Sequence, residues 1–175
     1  MRLLGAIIAG GTSRRFGSDK AMAQIAGRSL LDHARAALVQ EVDDLVLCGR
    51  TVGGLRCISD RPEPGLGPLG GIAAALADAQ ARGFDAVVTV PIDVFPLPTD
   101  LVTRLGGAGP AVFEVQYLIG LWPAALAGQL DAHLADRHRS LRSWMEATGA
   151  RRVNDAALGL FNINRRAELD RAMAA

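Results

Sequence analysis

The sequence predicts an α/β domain: a mostly parallel sheet with helices on both faces, in three α/β/α layers. Two observations carry this. Strand-length apolar runs alternate with amphipathic helical stripes through the first 105 residues. The first run, residues 3–9, is apolar throughout rather than alternating, as expected of a strand buried on both faces. No internal repeat or low-complexity linker divides the 175 residues, and that length suits one domain, 1–175.

Each element has its own justification. The run 3–9 ends on Gly10-Gly11, and a loop over 10–20 follows. Leu30, Leu31, Ala34, Ala37 and Leu38 share one helical stripe, and the next convincing helix after the loop begins near Arg28. Residues 44–48 (DLVLC) read as a strand and 55–58 (LRCI) as a short one. The loop SDRPEPGLGPLGG leads into a second stripe of Leu69, Ile72, Ala73 and Leu76. DAVVTV, 85–90, is a strong strand that runs into PIDVFPLP, and 99–105 forms a short helix. The second half is less regular. AVFEVQYLIGLW makes two short strands or one bent strand. Leu126, Leu130 and Leu134 mark a helix that Leu141, Trp144 and Met145 continue or restart. GLFNIN is a brief strand-like run before a final helix, RRAELDRAMAA.

Composition narrows the function classes. Half the residues are hydrophobic (50%) and 21% are charged, ordinary globular usage. The net charge of +1 draws the whole molecule neither to nucleic acid nor to an acidic membrane, so any anion site is local. With 5% aromatic residues, Arg14-Arg15 do not read as a nucleic-acid grip. Cys48 and Cys57 fall on neighbouring predicted strands, which leaves a disulfide open, but a reduced pair of small apolar side chains is the favoured reading. His33, His133 and His138 fall in predicted helices without metal-ligand spacing. The N-terminal apolar run is too short and wrongly flanked for a signal peptide, and no segment reaches the roughly 18 apolar residues of a membrane span. A cytoplasmic protein is expected.

Chemistry concentrates in AIIAGGTSRRFGSDKA, residues 6–21. Gly10 and Gly11 after a strand let the backbone approach a ligand and offer N–H donors. Arg14, Arg15 and Lys20 add charge-assisted bonds, which points to an anion. A plain strand-to-helix turn with solvated cations is the alternative. A P-loop is excluded, because five residues separate Gly11 from Gly17 and Ser18 follows where Lys is required. The dinucleotide fingerprint G-x-G-x-x-G is absent too. Asp93, in the loop after 85–90, stands at the carboxyl end of a predicted strand, where open α/β sheets bind ligands. It reads as a magnesium ligand or as a turn-capping aspartate. Asp60 is likewise a ligand carboxylate or a solvent-facing turn residue. Asn162 and Asn164 share a strand face by alternation, either to meet a ligand or to close the sheet edge.

The signature run resembles that of the molybdenum cofactor guanylyltransferases, a branch of the nucleotidyltransferases, with Phe16 where Met is usual. PIDVFPLP resembles the family's P-x-D-x-P-x-x-P, departing at Val94-Phe95, and the loop with Asp60 before GPLGG resembles a second family motif. FNINRR resembles F-x-N-I-N-T-P, with Arg165-Arg166 for Thr-Pro. The resemblance implies a Rossmann-like nucleotidyltransferase fold that moves GMP from GTP to the terminal phosphate of molybdopterin and releases pyrophosphate. It implies nucleotide contacts at Ile8, Ala9, Gly10, Gly11, Lys20, Asp60 and Asp93, catalytic roles for Arg15, Lys20 and Asp93, Mg²⁺ on Asp93, and acceptor contacts at Asn162 and Asn164. Molybdenum cofactor biosynthesis or acceptor proteins are the partners it suggests. Other nucleotidyltransferases, among them molybdopterin cytidylyltransferase and sugar or alditol phosphate enzymes, and a non-catalytic nucleotide-binding paralogue are the rival readings. Two departures bear on the details: CGR at 48–50 lacks the family's asparagine after the second strand, and Gln116-Tyr117 replaces a common His-Pro. Arg137, His138, Arg139 and Arg142 read mainly as a solvated helix face.

Overall fold

The structure, a computed structural model, describes residues 1–9 and 22–164, together with Glu168, Asp170 and Ala172. In chain order the elements are β1 (Leu3–Ile8), β2 (Gln24–Ile25), β3 (Arg28–Ser29), α1 (Leu30–Leu38), β4 (Asp44–Cys48), β5 (Arg56–Ile58), α2 (Pro68–Ala81), β6 (Ala86–Pro91), β7 (Val94–Phe95), α3 (Leu101–Leu105), β8 (Ala111–Phe113), β9 (Gly120–Pro123), α4 (Ala127–Ala135), α5 (Leu141–Thr148), β10 (Arg151–Val153) and β11 (Phe161–Asn162). The main sheet has seven strands in the order β10-β8-β9-β6-β1-β4-β5. Among its described strands only β9 runs against the rest, pairing antiparallel with both β6 and β8.

β1 lies at the centre because every one of its side chains is buried. Leu4, Ala6 and Ile8 pack with Leu69, Ile72 and Leu76 of α2. Leu3, Ile7 and Ala9 pack with Leu31, Ala34 and Leu38 of α1 on the opposite face. Alternation along one strand thus feeds two apolar layers, the three-layer arrangement expected. α4 and α5 join the α2 face through Leu130, Leu134 and Trp144, and α3 joins the α1 face through Leu101 and Leu105. Close packing of α2 requires Gly71, where an added Cβ would sit 3.2 Å from the Cys48 Cβ.

Local chemistry sets the helix ends. Ser29 caps α1, accepting the Asp32 N–H at 3.1 Å while its hydroxyl donates to the Asp32 carboxylate at 2.7 Å. Glu41 takes the N–H groups of Leu101 and Val102 at 2.7 and 2.9 Å, holding the start of the short α3. At the far side of the molecule the Arg56 guanidinium binds both oxygens of Asp78 at 2.7 Å, tying β5 to α2.

The structure differs from the sequence reading in several places. A hairpin, β2–β3, precedes α1, so the helix starts at Leu30 rather than near Arg28. AVFEVQYLIGLW is two antiparallel strands. α4 and α5 are separate helices, and His138 lies in their connection rather than in a helix. Cys48 packs on the α2 face and Cys57 on the α1 face, so the two thiols point to opposite sides of the sheet and both are free. GLFNIN does not join the main sheet. Its strand β11 pairs with β7, and because β11 ends at Asn162 the alternation does not carry on to Asn164.

Candidate nucleotidyl-transfer site

Four parallel strands end level. Ile58 of β5 lies beside Cys48, Cys48 beside Ile8, and Ile8 beside Pro91. Backbone bonds lock this row just past its end: Gly49 N–H to the Ile58 carbonyl at 3.1 Å, Ala9 N–H to the Cys48 carbonyl at 3.0 Å, and Ile92 N–H to the Ile8 carbonyl at 3.1 Å. The chain leaves β1 to pair with β4 on one side and β6 on the other. The row is therefore a topological switch point, where an α/β sheet opens a ligand crevice. Ile8 and Ala9 form its floor, with buried side chains. Gly10, Gly11, Arg15 and Lys20, on the segment that follows, lie outside the described residues.

Asp60 leaves β5 and Asp93 leaves β6, each two residues past the row. With strands about 4.8 Å apart, three steps separate the two exits by ~14 Å, enough for a nucleoside at one end and its phosphates at the other. At the Asp60 end a cavity of about 620 Å³ is lined by Gly49, Arg50, Cys57, Asp60, Gly65 and Gly67. Burial raises the Asp60 pKa above the ordinary carboxylate value, and a hydrogen bond from the Gly65 backbone offsets part of the rise. Gly70 at the start of α2 leaves Asp60 its space: an added Cβ would stand 3.0 Å from the Asp60 Cβ. Cys48, buried behind this wall, has its thiol pKa pushed up to about 12 by burial, with the Asp60 charge adding to the effect.

At the other end β11 crosses back to β7. Asn162 faces Val94, and the Ile163 N–H donates to the Asp93 carbonyl at 2.7 Å. A small apolar cluster of Ile25, Leu30, Ile163 and Ala172 lies under this ribbon, with Phe95 and Phe161 packed against it. The His33 ring meets Phe95 edge-on at 5.1 Å. The structure therefore brings Asn162 to Asp93. The Asn164 N–H instead donates to the Glu168 carboxylate at 2.5 Å. Sequence reasoning missed the role of Phe95, whose ring is an apolar anchor for the ribbon. No group of three metal-ligating side chains occurs among the described residues.

An open, mostly parallel α/β sheet with a switch-point row, and a carboxylate just past a strand at each end of it, has the architecture of the nucleotidyltransferases. Residues 5–153 match the family profile described as MobA-like NTP transferase domain. The chain is 37% identical to a molybdenum cofactor guanylyltransferase of Cereibacter sphaeroides, covering 98% of this chain and 96% of the relative. It is 34% identical to one of Acidiphilium cryptum, covering 96% and 92%. In fold it is similar to molybdopterin-guanine dinucleotide biosynthesis protein A from Archaeoglobus fulgidus, with a TM-score of 0.76 at 21% identity over 98% and 97% of the two chains. The chain belongs to the MobA-like NTP transferase family. No helix among the described residues is long and apolar enough to cross a membrane.

Proposed function

We propose that the protein transfers GMP from GTP to the terminal phosphate of molybdopterin, forming molybdopterin guanine dinucleotide and releasing pyrophosphate. The level row of strand ends carries the reading: it sets Asp60 and Asp93 at opposite ends of the crevice, with the signature segment leaving from between them. The names borne by its relatives support the guanylyl and molybdopterin assignment. Cytoplasmic residence belongs to the same reading, and two thiols that cannot reach each other suit a reducing compartment.

In this reading the nucleoside occupies the cavity at Asp60, whose carboxylate accepts from base or ribose donors. The triphosphate runs along the row toward Asp93. The acceptor phosphate attacks the α-phosphorus as the bond to the bridging oxygen breaks and pyrophosphate leaves with that electron pair. The attacking group is already anionic, so no base is required. Arg15 and Lys20 offset charge on the α-phosphate and the leaving group. Mg²⁺ binds characteristically to one or two carboxylates plus substrate phosphates, and Asp93, held at a strand exit, fits that donor set. The ion supplies charge neutralisation on the phosphates. Asn162 and Asn164 stand for the acceptor's side of the crevice.

The test is pyrophosphate release with GTP, Mg²⁺ and molybdopterin, repeated with CTP. GTP is expected to be the better donor. Asp93→Ala is expected to lower turnover by at least about a hundredfold, the scale of removing one charge-stabilising group. The variant is expected to stay folded by circular dichroism, because the side chain is no part of the three apolar clusters. Full activity of the variant would sink the assignment.

A further inference from the structure

The turn between β8 and β9 reaches the ligand edge only because β9 is antiparallel: Gly120, at the start of β9, pairs with Thr89 near the end of β6. Three bonds hold the turn rigidly. Asp155, 3% exposed, accepts the Val115 N–H on one carboxylate oxygen at 2.8 Å and the Gln116 N–H on the other at 3.0 Å. The buried Thr89 hydroxyl donates to the Leu118 carbonyl at 2.8 Å. From this fixed base the Gln116 side chain donates through Nε2 to Oδ1 of Asn162 at 2.9 Å. Asn162 in turn belongs to the ribbon that holds the Asp93 backbone.

We propose that Gln116 is a positioning residue for the acceptor: by occupying Oδ1 of Asn162 it fixes that amide with its Nδ2–H₂ group as the face offered to the crevice. The inference rests on the functional reading above, in which Asn162 meets an acceptor bearing a phosphate. A primary amide is two-faced, one side donor and one side acceptor. An anionic phosphate is held by donors and repelled by a carbonyl oxygen, so the orientation of this amide decides whether Asn162 helps or hinders. Gln116 is two-faced as well, but it stands with Nε2 rather than Oε1 against Asn162, and that donation is what selects the productive face. Asp155 and Thr89 act one step further back by fixing the turn.

The experiment measures pyrophosphate release by the full chain with GTP and Mg²⁺ while molybdopterin is varied. In Gln116→Glu the new carboxylate accepts instead of donating, the Asn162 amide turns over, and its carbonyl oxygen faces the acceptor. The expected result is a rise in KM for molybdopterin of about tenfold, the scale of one charged hydrogen bond, with KM for GTP unchanged. Gln116→His, which restores a donor, is expected to recover most of the loss. In an Asn162→Ala background Gln116→Glu is expected to add nothing, since its effect runs through that amide. Wild-type kinetics in Gln116→Glu, an equal rise in KM for GTP, or a full effect persisting without Asn162 would each overturn the proposal. Wild-type protein that releases no pyrophosphate with molybdopterin would overturn the functional reading and this inference together, an outcome distinct from an active wild type with an indifferent Gln116→Glu.

Discussion

At the residue scale, Asp60 and Asp93 were legible because each lies in a contiguous motif just past a strand, and strand exits are where such sheets meet ligands. The bond between Gln116 and Asn162 was not legible. Its partners are 46 residues apart, and nothing local in either segment specifies the other. Cysteine chemistry separates equally well at this scale. Cys57 is half-buried and lines the cavity at Asp60, whereas Cys48 is fully buried with its thiol pushed up to about 12. A maleimide is therefore expected to modify Cys57 alone under native conditions, and GTP with Mg²⁺ is expected to slow that reaction. Labelling of Cys48 in the folded protein, or a Cys57 rate indifferent to GTP, would count against a nucleoside in this cavity.

At the element scale, strands and helices with strong periodicity fell where expected, and the short pieces did not. The β2–β3 hairpin escapes notice because its turn is Ala26-Gly27, with φ of 50° and 75°, rather than the Asn-Gly or Asp-Gly that signals such turns. The β7–β11 ribbon escapes because two-residue strands carry no period; its pairing, a small cluster around Ile163 and the backbone bond from Ile163 to Asp93 define it. The opposite end of the same strands has a different task. Arg56 there joins β5 to α2 through Asp78, with Arg82 and Asp44 beside them. Asp78→Ala is expected to cost about 1 kcal/mol, a charged hydrogen-bonded pair discounted for the exposure of Arg56. Urea unfolding with an unchanged slope would register the loss, while KM for GTP stays at the wild-type value. A parallel loss of GTP affinity would show that this end is coupled to the crevice.

At the scale of the whole molecule, pH acts on stability in two steps. The His133 pKa is lowered by burial first and by the His138 charge second. The folded state therefore resists protonating it, and its contribution is lost as pH falls from the unfolded value near 6.5 through the lower folded value. For Asp44 burial pulls upward, but the Arg82 hydrogen bond, the Leu45 N–H and the charges of Arg82 and Arg56 together outweigh it; for Asp32 the Ser29 hydrogen bond leads. Both end lowered. Their stability is complete above the ordinary aspartate value of about 3.9 and is lost as pH falls through their folded values below it. Asp60, raised, acts in the opposite direction between the two steps. Urea midpoints from pH 8 to 3 are expected to fall first below about 6.5 and again below about 3.9. His133→Phe removes only the upper step. A wild-type curve flat down to pH 4 would contradict this.

The sequence by itself determined the α/β class, the central buried strand and the family, and it set Asp60 and Asp93 just past two strands. These follow from local periodicity and contiguous motifs, which neighbouring residues along the chain are enough to specify. The tertiary structure alone decided that four strand ends form one level row, that the thiols part to opposite faces, and that a turn from β8–β9 and a late ribbon meet beside Asp93. Register and strand direction set those meetings. Both depend on which strands pair across the sheet, a choice made by burial of the whole molecule rather than by any one segment.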